Sequence, residues 1–429
     1  MVEVKVREKV QAVYFIALAV LMYYFLEQVI TIPYTIPVRQ IFVLLILFSG
    51  LVCFLIRPNL SRGYVAIKDA LVMSAPFGVM FTVSLLIWFM ERVSTVELYR
   101  AFWNYSLYVN QVFAALAAAV FLYVFGEKGI WYNLAALLIA DLLMVVQIML
   151  ENGVGTYLCE LGQLIITFAG ETGEVIGKAE IHELAFCMGA YIVYMLLFYK
   201  KSFRYQLMFL FLAFGFISAF KRIAMVSILV AVAAGLILKL IRKIKGKKWV
   251  NFIIRIAFLV ICLILVLYIG FVKMGGFHIL EELGIDTMSR ADMYDEVAEL
   301  YEFSPAFMGH GMGYLSYQMT RVISLWETAI HNDFLQFYID LGFEGYILWL
   351  LSLTLFRTWY FGRKDKTDSK IAVFAVTCYI LILSTTDNTL NYQLFYTATG
   401  ILIMGHGFDE RVRETDMKLF GYVEERNDV

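Results

Sequence analysis

The sequence predicts an all-α, polytopic membrane protein of about twelve transmembrane helices with one long helical loop outside the membrane. Three observations predict it. Of 429 residues, 61% are hydrophobic and only 17% charged, with a mean hydropathy of +0.75, well above the composition of soluble domains. Apolar runs of bilayer length recur from end to end, and Lys and Arg collect in every second connection between them. Net charge is -1 and the pI about 6.5, so no excess positive charge points to nucleic acid or to a polybasic lipid anchor.

A hydrocarbon core of roughly 30 Å needs about 20 apolar residues. Such runs lie at 11–30, 38–56, 69–90, 101–125, 130–150, 182–199, 204–220, 222–241, 251–272, 343–361, 371–386 and 390–407. The start, MVEVKVREKV, is basic, but the run from Val13 to Ile30 has no small-residue cleavage site and is long enough to span, so it is expected as a retained first helix. With the N-terminus inside, about 26 of the 35 cations face the cytoplasm, among them the cluster from Lys239 to Arg255 and that from Arg357 to Lys370. Both termini are then cytoplasmic. Of the five cysteines, Cys53, Cys187, Cys262 and Cys378 sit in apolar segments and only Cys159 in a loop, which argues against a disulfide-stapled outer domain. The expected organisation is a single membrane domain over 1–429, with an extracytoplasmic loop at 273–342 and a polar, disordered cytoplasmic tail at 408–429.

Two outer connections are long. The first, about 151–181, carries Glu160, Glu171, Glu174 and Glu180 around an apolar patch, LGQLIITFA, too short to cross and expected at the interface. The second, 273–342, is the long polar break in the chain. Ile285, Met288, Met293, Val297 and Leu300 recur at helical spacing, predicting a helix over 279–301 lying across the mouth of the membrane body. Farther on, His331 to Phe361 is mostly apolar and would extend about 46 Å as one helix, more than one core thickness. Gly342 and Gly345 are the expected break, leaving HNDFLQFYIDL as a short amphipathic helix above the bilayer with His331 at its start.

Several side chains have the chemistry of a site. Lys221 and Arg222 fall at a tight outer hairpin, where cations are disfavoured. They either snorkel to lipid phosphates and cap a helix end, or hold an anionic lipid headgroup, a task that suits the planar donor fork of arginine. Arg290 either pairs with Asp295 or is free to bind an anion. His331 is either a solvated helix-start residue or a general base, since imidazole ordinarily titrates near neutral pH. Asp141, inside the fifth span, is costly unless paired with a cation or lining a cavity, and both readings stay open. Gly309, Gly311 and Gly313 follow no predicted strand, so they indicate a tight turn and not a dinucleotide site. His278, His310 and Asp333 are conceivable metal ligands, but no Asp-x-Asp or His-x-x-x-His spacing occurs, and neither metal nor cofactor is expected.

The outer loop resembles that of the O-antigen ligase and O-antigen polymerase superfamily of bacterial integral-membrane glycosyltransferases. The resemblance is carried by Arg290 and Tyr294, Pro305, Gly309, Gly311 and Gly313, then His331, Asn332, Leu335, Asp340, Gly342 and Gly345. Arg222, opening the long helix two spans before the loop, matches a further landmark. Lys221 stands where that family has Ser or Thr, and Glu344 where it favours an apolar residue.

The resemblance implies a GT-C-like, metal-independent, inverting transferase in the bacterial cytoplasmic membrane, using polyprenyl diphosphate-linked oligosaccharide outside the membrane. Its implied catalytic residues are His331, Arg290 and Arg222, with Lys221, Asn332, Tyr294 and Arg321 as substrate-binding residues. Membrane lipid is an expected partner, with a chain-length regulator and a flippase as candidate protein partners and no nucleic acid. Within the family the expected activity is polymerisation of lipid-linked repeat units, as in O-antigen, capsule or exopolysaccharide assembly. The alternative is ligase-type delivery of a finished glycan to a lipid, protein or wall acceptor. A polysaccharide transporter or flippase is the rival from another class, disfavoured because no paired halves are visible and the polar residues concentrate in one asymmetric loop.

Overall fold

The computed structural model describes residues 2–25, 31–32, 36–91, 106–167, 174–177, 182–198, 202–219, 221–284, 287, 289–319, 330–362, 367–389 and 392–420. Apart from a two-residue antiparallel ladder, Thr31–Ile32 against Ile36–Pro37, their regular structure is helical. Among the described residues five helices are long and apolar enough to cross a bilayer: Val38–Ile56, Lys128–Asn152, Arg222–Lys245, Lys247–Lys273 and Asp333–Phe361. The bent pair Leu60–Met73 and Ala75–Met90 makes a sixth if it is one span, and five further apolar helices are shorter. The expected span at 69–90 is thus interrupted. Pro76 explains why: its ring fits a first helical turn but would clash within a continuing one, so a new helix begins at Ala75. On Val38–Ile56, Leu44, Phe48, Leu51 and Leu55 form one exposed stripe while Val43, Ile46 and Gly50 are buried, the division expected of a helix with a lipid-facing side.

The chain forms two compact units, each assembled from separated stretches. The first comprises Met1–Leu71, Phe113–Ala233 and Leu394–Val429; the second, Val72–Val112 and Ala234–Gln393. In the first unit the buried Asn133 donates to the hydroxyls of Tyr23 at 3.0 Å and Tyr191 at 2.9 Å, joining three helices. Glu183 accepts from the backbone of Leu394 at 2.6 Å and sits 3.4 Å from Arg39, so a buried carboxylate meets the positive end of the Gln393–Gly405 helix. Asp141 is buried and lies over Gly215, where a Cβ would come within 2.3 Å of its Oδ2. It makes no ion pair among the described residues, so of its two readings the pairing with a cation finds no partner there. The tail also departs from expectation, since Phe408–Phe420 is helical. Arg411 fixes it by pairing with the fully buried Asp69 at 2.8 Å, a long-range contact that local polarity could not reveal.

The second unit is organised by the helix Asp333–Leu351, packed on Ala75–Met90 and Lys247–Lys273. Gly345 makes the first contact possible, because a Cβ there would lie 2.7 Å from Val83 Cγ1. Tyr346 donates to the Leu265 carbonyl at 3.3 Å in the second. The helix breaks at Gly342, with φ 70° and ψ -178°, at the expected place. Its first half, however, is not amphipathic: Asn332 to Gly342 are all buried. The loop and Ala75–Met90 cover the face that the sequence assigned to water. The expected helix over 279–301 is likewise broken into Gly276–Glu282, Arg290–Glu296 and a 3-10 turn at Ala298–Leu300. Gly284 and Ser289, both with positive φ, redirect the backbone between the first two pieces.

The Gly309–Gly313 run is a turn clamped onto that kink. All three glycines have positive φ, between 79° and 88°. The backbone oxygen of Asp340 accepts from His310 at 3.2 Å and Gly311 at 2.7 Å, and its carboxylate accepts from Gly313 at 2.9 Å and Leu315 at 3.0 Å. Gly309 and Gly342 touch backbone to backbone, and a Cβ on Gly309 would lie 2.2 Å from the Gly342 nitrogen. Gly309→Ala is therefore expected to cost roughly 3 kcal/mol or more, from left-handed strain plus displaced backbone. Gly155→Ala, with nothing within 4 Å and a helical backbone, should be neutral or slightly stabilising. Melting of the two purified variants checks this, and equal shifts would contradict it.

Candidate functional site

The second unit gathers polar side chains around the start of the Asp333–Leu351 helix. Asn332 caps that helix, its Oδ1 accepting from the Leu335 backbone at 3.1 Å in extended conformation. Its Nδ2 donates to the hydroxyls of Tyr268 at 2.9 Å and Tyr294 at 3.3 Å, so one fully buried amide joins three elements. Burial pushes the Tyr294 phenol up to about 12, with Asn332 and Arg290 opposing the rise, which leaves Tyr294 a neutral hydrogen-bonding group. His331 precedes the cap with φ 51°, a left-handed conformation unusual for a side chain of its size. Its imidazole is half-buried.

Arg290 opens the short helix Arg290–Glu296, after Ser289 in a left-handed conformation. Its guanidinium donates to the Thr386 carbonyl at 3.2 Å and the Thr287 carbonyl at 3.4 Å. Asp295, the carboxylate partner of one of its two readings, instead meets His278 Nε2 at 2.7 Å, and the hydrogen bond and charge of Asp295 raise the imidazole's pKa. Arg290 forms no ion pair among the described residues, so its charge and most of its five donors are available to an anion.

The turn after the Thr367–Leu383 helix ties these groups together. Arg290 holds the Thr386 carbonyl, and His331 Nδ1 lies 3.7 Å from Asp387 Oδ1. The Asp387 carboxylate is fixed by the Asn388 backbone at 2.8 Å and by the Tyr392 hydroxyl at 2.9 Å. Asn388 donates to Gln336 at 2.8 Å, Thr389 donates to Asp333 at 3.2 Å, and the Asp333 backbone donates to Ser384 at 3.1 Å. Asp387 and Asn388 were not singled out from the sequence. The available signal was the polar run Ser384–Thr389 between two apolar helices, which span counting treats as a short connection.

The structure thus brings Arg290, Tyr294, His331 and Asn332 to one place. Lys221 and Arg222 begin the Arg222–Lys245 helix, whose first part belongs to the first unit, with Arg222 exposed and Lys221 half-buried. A cation at a helix start opposes the helix dipole, so Arg222 is not there to stabilise its own helix. Arg321 lies outside the described residues. His310 is held by stacking on Tyr314 at 4.0 Å and by the Leu300 carbonyl at 3.1 Å. Among the described residues no three His, Cys, Asp or Glu side chains are grouped to hold a metal ion.

A guanidinium with no ion pair among the described residues and a carboxylate-flanked imidazole, both against one turn, are suited to charge stabilisation and proton transfer in a single site. Residues 207–350 match the family model described as O-antigen ligase, a stretch that includes every predicted site residue. No curated protein sequence matches the chain.

Proposed function

We propose that this chain, whose residues 207–350 match the O-antigen ligase family model, is a polysaccharide polymerase. It transfers a glycan from polyprenyl diphosphate to a sugar hydroxyl of a lipid-linked repeat unit, on the outer side of the bacterial cytoplasmic membrane. The family match supports an O-antigen ligase or polymerase type of activity and a lipid-linked glycan substrate. The observation that carries the mechanism is the meeting of Arg290 and His331 on the Thr386–Asp387 turn.

In the proposed reaction the acceptor oxygen attacks the anomeric carbon from the face opposite the diphosphate, and the carbon–oxygen bond to the diphosphate breaks with its electron pair. Configuration inverts in the one step. His331 takes the hydroxyl proton on Nε2, while Asp387 faces Nδ1 and favours the imidazolium that forms. Arg290 stabilises the growing negative charge on the leaving diphosphate, more in the transition state than before it. Arg222, with Lys221, supplies a second set of phosphate donors by the same chemistry, and Asn332 and Tyr294 fix the floor of the site. These roles need no divalent metal.

The ligase alternative keeps the same bond chemistry and changes only the acceptor, and the family match is equally compatible with it. Analysis of lipid-linked intermediates in a deletion strain separates the two. Single repeat units on the lipid are expected; long chains still on the lipid would replace polymerisation with ligation. A normal intermediate profile would leave neither standing.

A further inference from the structure

We propose that the second unit carries a binding site for an anionic phospholipid, at the end that the Lys and Arg distribution assigns to the cytoplasm. A cavity of about 430 Å³ opens between the Lys247–Lys273 helix and the Ser352–Phe361 segment. Its lining is graded along the helices. Asn251, Arg255 and Leu259 follow one another at intervals of one turn on one face, passing from amide to cation to hydrocarbon with increasing depth. The opposite wall repeats the order, with Lys370 at the shallow end, then Trp359, then Leu355. A headgroup phosphate and the start of an acyl chain have the same polarity gradient, whereas a free anion or a purely apolar ligand would match only half of it.

Three further observations favour that occupant. Arg255 is exposed and makes no hydrogen bond or ion pair among the described residues, so a cation lining the cavity lacks a protein counter-charge. Lys370 is positioned by its Nζ–Asn251 Oδ1 hydrogen bond of 2.6 Å, and its stem crosses Gly362, where a Cβ would lie 2.1 Å from Lys370 Cγ. No acidic side chain lines the cavity among the described residues. Leu355 lies in the π-helical turn Ser352–Phe356, at the apolar end of the wall. Trp359 is half exposed beside it, a side chain suited to the headgroup level.

The test uses the full chain in detergent with added phosphatidylglycerol or phosphatidylcholine, bound lipid being counted by native mass spectrometry. Wild type should retain phosphatidylglycerol in preference to phosphatidylcholine. Arg255→Gln with Lys370→Gln should bind phosphatidylglycerol about thirtyfold more weakly, since each cation near an anionic headgroup contributes about a fivefold factor. Arg413→Gln with Lys418→Gln, which removes two cations from the tail helix, should keep the wild-type preference. Leu355→Trp, which fills the deep end and leaves both charges, should also weaken binding, and it tests the site if the charge variant is unstable. Equal binding of both lipids, an unaffected charge or filled variant, or a tail variant that loses the preference would each overturn the proposal. So would displacement by millimolar inorganic phosphate alone, which would indicate an anion site without a lipid.

Discussion

His331→Ala is expected to lower the rate of glycan transfer by about 10²–10⁴, the usual contribution of a positioned general base. The expectation rests on geometry specific to this chain. His331 precedes the helix cap in a left-handed backbone conformation, with Asp387 Oδ1 at 3.7 Å from its Nδ1. Asn332, the neighbouring residue, carries the structural load through the cap and both tyrosine hydroxyls. Removing the imidazole should therefore leave abundance and melting close to wild type, and the loss should fall on kcat. His331→Gln keeps a hydrogen-bonding group but cannot carry the proton, so it should be nearly as impaired. Purified protein with lipid-linked donor and acceptor provides the measurement. Wild-type kcat in both variants would remove His331 from the reaction, and loss of folded protein in both would make its role structural.

Arg290→Ala is expected to reduce transfer by about 10²–10³, the scale for losing one donor at a site of developing negative charge. Arg290→Lys should recover only part of the rate, because an ammonium keeps the charge and loses the paired geometry that matches phosphate oxygens. The rival explanation is structural, since the guanidinium also holds the carbonyls of Thr287 and Thr386. The two explanations separate on Arg222→Ala: its exposed side chain opens a different helix, so it has no part in that turn. Comparable losses of kcat in Arg290→Ala and Arg222→Ala, with unchanged melting of the latter, are expected from the charge-stabilising role proposed for each arginine. Full activity in Arg222→Ala would confine the anion site to Arg290.

Much of the site was legible because its landmarks depend on local chemistry. A run of alternate glycines needs positive φ, and the Gly309–Gly313 turn supplies it at each one. The sequence placed a helix start at His331, and the cap is the next residue, Asn332, whose side chain accepts from the Leu335 backbone. Asp340 was marked by the family resemblance, and Gly342 also by the length of the apolar run around it. What could not be read was their purpose, which is to bind the glycine turn with a carboxylate, a carbonyl and a bare backbone. Asp387 escaped notice because its importance comes from a partner 56 positions away, and nothing in the run from Ser384 to Thr389 distinguishes it from an ordinary connection.

The sequence alone determined that the chain is helical and membrane-embedded, where its polar loop lies, and which glycines turn the backbone. Those properties follow from hydropathy, charge placement and φ preference, each a property of neighbouring residues. Tertiary structure decided that Asn332–Gly342 is buried on every side, that the loop helix breaks after Glu282, that Asp295 serves His278, and that Asp387 faces His331. A periodic pattern reports only how one helix divides its own surface. Which distant segment covers that surface, and which carboxylate reaches which imidazole, is fixed only when separate stretches of chain pack against one another.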